Sequence, residues 1–334
     1  MRIFDADLHW IETEAELLQI AGLKRNRIMP RDAWDRTLGG QFPEVKPSLE
    51  EYMSFLDNNK IKEAVVHPTR SLSLGMIPEI DLAVKTADAY NSYSLEQVKK
   101  WKGSTVLHPI ALAVPQKISH TVNMIEEYKK AGFVGILLLP HGHEKLLGDE
   151  EFFELYQKCE ELDMPITIHP NSFGAIGTKG FKTFAEVHCV SFPFELIKQF
   201  VSMVLSGVFE KFPKLHVAFL EAGVGWMPYW ISRLDEEFTL RKNELSLKNK
   251  PSMTLKSSKV FVSCNGYEKE LIEVNSLLGG GVIWQSDYPH WDHVGLETVE
   301  DLQSHLNQEL LEKILWKNAI NCYKLNVGIE ERVF

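Results

Sequence analysis

Cysteine is scarce in this chain, and its thiols are not paired by spacing. Cys159, Cys189, Cys264 and Cys322 are scattered through 334 residues with no C-x-x-C, which argues against a disulfide framework and a thiolate zinc cluster. Each reads as small apolar filler, with Cys189 and Cys264 as candidates for a pocket wall. No apolar run approaches the ~20 residues that a membrane-spanning helix needs; VGILLL, Val134 to Leu139, is among the longest. Basic clusters are missing as well, and the formal net charge is -10. Nucleic acid demands a basic footprint and a polybasic anchor demands a lysine-arginine run, so neither partner is expected. The opening MRIFDADLHW lacks the charged and apolar regions of a signal peptide, and a cytoplasmic protein is expected. No G-x-G-x-x-G follows a strand and no G-x-x-x-x-G-K-[ST] occurs. The GGG of residues 279–281 precedes a strand, the wrong context for a phosphate cradle.

What is present is an alternation of apolar strands and amphipathic helices. An apolar content of 44% with 25% charged residues suits a globular enzyme with a substantial core. Strands are expected at Arg2 to Asp7, Ile61 to Val66, Val106 to Ala113, Val134 to Leu139, Pro165 to Ile168, Leu215 to Leu220, Val260 to Ser263 and Val282 to Gln285. Most are continuous Val/Ile/Leu/Phe runs, as in strands buried on both faces. Helical spacing marks Leu82 to Lys99, Ile118 to Lys130, Glu150 to Leu162, Phe194 to Phe209 and Val299 to Leu315. Eight such units predict an α/β fold, a single (β/α)8 TIM barrel over residues 1–334. Long loops break the rhythm after strand 1 (Trp10 to Pro47) and after strand 5 (Asn171 to Pro193). Both leave from strand C-termini, where lids and substrate walls are built, although extra packing or an oligomer contact would also account for them.

Four apolar segments stop at a residue able to bind a metal. FDADLH carries Asp7 and His9, PITIHP carries His169, HVAFLEAG carries Glu221, and VIWQSDYPH carries Asp287. Asp7 and His9 are two apart on a strand and share a face. Alone they could equally be a capping Asp beside a core His. Asp287 closes the last strand, and an isolated buried charge there would be very costly without a partner. A cation shared by Asp7, His9, His169 and Asp287 would supply one.

His290, three residues on, is a candidate to polarise a substrate or to hold Asp287, and His188 to reach the same pocket. His141 and His143 read as substrate wall, His67 as another wall residue, and Arg70 as a carboxylate clamp or a surface ion pair. His108, His120, His216 and His305 read as structural. Trp226, Met227 and Trp230 have helical spacing and read as core packing.

The blocks DADLH (Asp5 to His9), IHP (Ile168 to Pro170), FLEAGVGWMPYWISRLDE (Phe219 to Glu236), SDYPHWD (Ser286 to Asp292) and LWKNAINCY (Leu315 to Tyr323) resemble the amidohydrolase superfamily. The likeness is to the branch containing aminocarboxymuconate-semialdehyde decarboxylase and related decarboxylases, hydratases and hydrolases. It implies a barrel with one or two catalytic Zn, Mn or Fe ions. Asp7 then stands where relatives have the first His or Glu of H-x-H or E-x-H, while His9, His169 and Asp287 keep the expected types. Many relatives place a His on strand 6, where this chain has Glu221. That carboxylate could bind an ion, bridge two, act as the base, or simply pair with Arg233.

Imidazoles and carboxylates without thiolate suit Zn, Mn or Fe(II). An ion with an open position lowers the pKa of bound water or polarises a substrate oxygen. With Asp287, Glu221, His290 and His188 as catalytic candidates, the first expectation is hydrolysis of an ester, amide, lactone or thioester of a small organic acid. The alternative is non-oxidative decarboxylation of a small unsaturated or aromatic acid, and the second alternative a non-catalytic ligand-binding barrel. A carboxylate-bearing small molecule is the expected substrate, and a homodimer the expected assembly.

Overall fold

Continuous apolar runs become strands, and their parallel pairing carries the candidate metal-binding residues to one end of the molecule. The structure, a computed structural model, describes residues 1–25, 27–29, 46–171 and 178–325. Much of the expected loop after strand 1 therefore lies outside the described residues, as do positions 172–177 of the loop after strand 5. The strands are β1 (Ile3–Trp10), β2 (Ile61–Pro68), β3 (Val106–Pro109), β4 (Ala111–Leu112), β5 (Ile136–Leu138), β6 (Ile166–Ile168), β7 (His216–Phe219), β8 (Lys259–Cys264) and β9 (Val282–Trp284). All neighbouring pairs are parallel.

The expected third strand is divided at Ile110: β3 pairs with β2, and β4 pairs with β5. Backbone bonds from Val134 N–H to Pro109 O (3.0 Å) and from Ala111 N–H to Gly135 O (3.0 Å) carry it across the break as one bent strand. The ring closes between the first and last strands. Asp287 N–H donates to Asp7 O (3.0 Å) and His9 N–H to Tyr288 O (2.8 Å). With β3 and β4 as one unit, eight strands encircle the core, the α/β barrel that the alternation predicts.

Every residue of β1 is buried, polar and apolar alike, because the strand has two covered faces. Phe4, Ala6 and Leu8 alternate with Asp5, Asp7 and His9. Phe4 stacks on His108 and Tyr323. Asp5 joins the two ends of the ring: its carboxylate accepts from Ser286 N–H (2.8 Å), from the Ser286 hydroxyl and from Asp7 N–H (3.2 Å). Burial pushes its carboxyl up to about 7 despite those bonds.

Two helix expectations need correction. A helix runs Phe184–Leu205, so the proline at 193 lies inside it rather than ending the loop before it. Thr183 and Glu186 form a capping box that fixes the start. The buried stripe of Val187, Ser191, Glu195, Gln199 and Met203 then carries the helix through Pro193. The expected helix Val299 to Leu315 is instead Leu296–His305 followed by Gln308–Glu312. Asn307 separates them, its side chain accepting Leu310 N–H as a new N-cap. Among the described residues no helix is long and apolar enough to cross a membrane.

His108, His120 and His305 pair with Glu63, Asp88 and Asp301, as expected of structural histidines. His216, at the start of β7, donates Nδ1–H to Cys322 O (3.1 Å), and burial beside Lys324 drives its imidazole down to about 4. Between about pH 4 and 6.5 the unfolded chain therefore binds a proton that the native state refuses. This contribution to stability is present above pH 6.5 and lost as pH falls toward 4. The stability–pH slope of His216→Asn should be shallower in that window by at most about 1.4 kcal/mol per pH unit, one proton's worth. Denaturant titrations of both chains between pH 4 and 7 measure it, and parallel curves would contradict it.

Candidate metal centre

Parallel strands deliver side chains to their C-terminal mouth, and five strands converge there. His9 from β1 lies beside His67 from β2 in register. His169 follows β6, Glu221 follows β7 and Asp287 follows β9. Glu221 and Asp287 both adopt left-handed backbone, φ 60° and 61°. Such a conformation costs a non-glycine residue on the order of 1–3 kcal/mol and is found mainly where a site demands it.

Asp7 is the hub. His9 Nε2 and His67 Nδ1 lie 3.1 and 3.0 Å from its Oδ1, and His169 Nε2 lies 3.3 Å from its Oδ2. Glu221 Oε2 is 3.2 Å from His169 Nε2, and Asp287 Oδ1 is 3.4 Å from His9 Nε2. Asp7, His9, His67 and His169 are fully buried.

Backbone carbonyls assign the tautomers. His9 donates Nδ1–H to Pro68 O (2.7 Å) and His169 donates Nδ1–H to Pro170 O (2.8 Å). Carbonyls only accept, so a neutral ring is left with a bare lone pair on each Nε2. Both lone pairs face carboxylates. Neither Nε2, neither oxygen of Asp7, nor Glu221 Oε2 has a hydrogen-bond partner. Lone pairs facing lone pairs in a buried site is unfavourable for a protein alone, and it is the arrangement that a cation satisfies. The donor set, imidazole nitrogen and carboxylate oxygen without sulfur, fits a divalent ion of the Zn, Mn or Fe type. Donor atoms of Asp7, His9 and His169 lie within 4.8 Å of one another, as do those of His9, Asp287 and His290.

The titration pattern has the same origin. Burial would raise the Asp7 carboxyl, but His169, His67 and His9 together hold it well below the usual range. Burial, with Asp287 and Asp7 close by, drives Glu221 well above it. Burial also pushes Asp287 up to about 8 against the attraction of His9. Three carboxyl groups this close cannot all ionise without added positive charge.

His290 is committed elsewhere. Its Nδ1–H donates to Asp287 Oδ1 (2.6 Å), which leaves Nε2 to accept from the Thr69 hydroxyl (3.0 Å). It orients Asp287 and has no nitrogen spare for an ion. His188 lies on the helix Phe184–Leu205, not in a loop, and pairs with Asp292 at 3.4 Å. It lines a cleft of about 400 Å³ that opens onto Glu221 and Asp287, together with Cys189, Phe192, Tyr267 and Asp292. That volume suits a small molecule.

Several expectations change. Glu221 does not pair with Arg233, whose guanidinium bridges Glu236 (2.6 Å) and Glu237 (2.5 Å) one turn along its own helix. His141 faces Glu195 (3.4 Å), and His143 lies against the carbonyls of Leu139 and Pro115; neither lines the cleft. His143 instead lines a separate cavity with Pro115, Gln116 and Phe152. Cys264 is buried within β8 and does not line the cleft either. Arg70 begins a 3-10 helix, Arg70–Met76, and is absent from the cleft lining. His67, read as a wall residue, sits in the cluster; its register with His9 is the signal that finds it. Asp5 was also missed, although its spacing from Asp7 puts it on the same face.

Closed parallel barrels with acid–imidazole clusters at this mouth make up a broad class of metal-dependent enzymes. The match of the amidohydrolase family to residues 4–325 narrows it, and the chain belongs to that family. It is 26% identical over 175 residues to 2-amino-3-carboxymuconate-6-semialdehyde decarboxylase of Dictyostelium discoideum, covering 51% of this chain and 48% of that protein. That match thus spans about half the relative's length. It is 23% identical over 244 residues to a decarboxylase of Emericella nidulans, covering 66% and 70%.

Among solved structures, a 5-carboxyvanillate decarboxylase from Novosphingobium aromaticivorans, with bound manganese and a nitrobenzoic acid, aligns with TM-score 0.74 at 20% identity. The alignment covers 97% of each chain. A dihydroxybenzoic acid decarboxylase from Polaromonas, with bound manganese and the inhibitor 2-nitroresorcinol, gives TM-score 0.73 at 20% identity, again covering 97% of each. An amidohydrolase from Mycobacterium avium subsp. paratuberculosis gives TM-score 0.76 at 17% identity, covering 96% and 99%. At these identities the structural likeness establishes the fold.

Proposed function

We propose that this protein is a metal-dependent, non-oxidative decarboxylase of a small unsaturated or aromatic acid. The observation that carries the reading is that the two curated relatives, at 26% and 23% identity, are both decarboxylases. The first expectation, ester or amide hydrolysis, leaned on Glu221 standing where relatives have His, and it yields to that pattern. Glu221 beside His169 fits either chemistry and discriminates neither.

In this reading Asp7, His9, His169 and Asp287 hold the ion, with Glu221 beside it. Bound there, a divalent cation supplies positive charge for a substrate oxygen conjugated to the reacting carbon. The bond from that carbon to the carboxylate breaks, and its electron pair stays on the carbon. Asp287 delivers a proton to the same carbon, so an acid RCOO⁻ and one proton become RH and carbon dioxide. His290 holds Asp287 through its Nδ1–H, with Thr69 fixing the far side of the ring. The cleft walls of Phe192 and Tyr267 offer flat apolar surface for an unsaturated substrate.

The protein loaded with manganese should release carbon dioxide from hydroxylated aromatic acids such as carboxyvanillate and the dihydroxybenzoates. Activated esters should turn over poorly. Ester turnover without carbon dioxide release from any such acid would reverse the assignment.

A further inference from the structure

We propose that His67 is a positioning residue of the metal centre, acting on the ion through Asp7. The inference rests on the reading of Asp7 as a ligand. His67 is fully buried, and its Nδ1 lies 3.0 Å from Asp7 Oδ1. Neither of its ring nitrogens has a hydrogen-bond partner, an expensive state for a buried imidazole with nothing to do. His9 and His169 anchor their Nδ1 atoms on backbone carbonyls. His67 has no such anchor, and the group its ring addresses is the Asp7 carboxylate.

Geometry sets His67 against the carboxylate, with its Nδ1 3.0 Å from Asp7 Oδ1. Among the described residues, the two groups whose donor atoms lie within 4.8 Å of one another are Asp7, His9, His169 and His9, Asp287, His290. His67 belongs to neither. It serves the carboxylate rather than the ion. A small rotation of the ring turns the close approach into a hydrogen bond from Nδ1–H to Oδ1. That bond fixes the carboxylate plane and keeps the Asp7 lone pairs aimed toward His9 and His169.

Removing an outer partner of this kind costs metal affinity rather than fold, by about 10–100-fold. The test is manganese titration of three metal-free chains, wild type, His67→Gln and His67→Leu, with melting of each metal-free chain alongside. Glutamine retains an N–H donor, and leucine removes it at similar volume. His67→Leu should raise the manganese Kd by about 10–100-fold, while His67→Gln stays within a few-fold of wild type. Should His67→Leu not fold, His67→Met carries the same comparison.

A folded leucine or methionine chain with wild-type affinity overturns the proposal, as does equal loss in the glutamine and leucine chains. Asp7→Asn, titrated in parallel, separates the two layers of argument. If it too binds manganese normally, the reading of the centre fails. If it loses binding while His67→Leu does not, only the role of His67 fails.

Discussion

Asp287→Asn is expected to lower carbon dioxide release by about 10²–10⁴-fold, the range for losing a positioned proton donor or acceptor. The amide has nearly the shape of the carboxyl group, so the strained backbone at φ 61° is asked to hold no new volume. Its Oδ1 can still accept the His290 Nδ1–H that now reaches Asp287 at 2.6 Å. What the variant lacks is a group able to give and regain a proton. Its manganese affinity should fall as well, because a negative donor becomes neutral, so turnover is measured per bound ion at saturating manganese. Turnover within a few-fold of wild type under those conditions would remove Asp287 from the proton path. The proposal would then need another acid near the cleft, for which Asp292, held by His188, is the next group.

The barrel was legible because each strand is a continuous apolar run with its terminal polar residue in a fixed place. The placement of Asp7, His9, His169 and Asp287 at the mouth could be read directly, since a parallel strand presents its C-terminal residue there whatever the intervening helices do. Elements whose limits depend on a single competing side chain were harder. Pro193 argues for a boundary, but the capping box at Thr183 and the buried stripe beyond it prevail. Asn307 sits in a helical pattern, yet its side chain captures Leu310 N–H and restarts the helix.

Contacts across the ring were harder still. Asp5 bonds to Ser286, 281 positions away, and only the closing of β1 against the last strand brings them together. His67 required the β1–β2 register, which pattern alone does not give. The choice between Arg233 and the strand-end cluster for Glu221 depended on side-chain direction, which sequence spacing leaves open: Arg233 points along its own helix.

Glu221→Gln should change two measurements in opposite directions. With the ion bound, turnover should drop by at least about 10²-fold, the lower end for losing a group that handles a proton or holds charge at the reacting centre. Without the ion, the chain should become more stable at neutral pH. The sign follows from titration: burial beside Asp287 and Asp7 raises the Glu221 carboxyl well above its usual range. An acid raised in the native state gives stability that is complete below its unfolded pKa and lost as pH climbs through the folded value. Glutamine never ionises, so it removes that loss along with the repulsion from its neighbours. Melting the metal-free chains across pH 5–9 should show the difference widening as pH rises.

A structural Glu221 predicts the reverse pair of results, weakened stability with normal turnover per bound ion. Arg233→Ala is the control, because its partners are Glu236 and Glu237; it should leave both readings near wild type. If Glu221→Gln instead melts earlier and keeps its turnover, Glu221 belongs to the frame of the barrel and the ion is held without it.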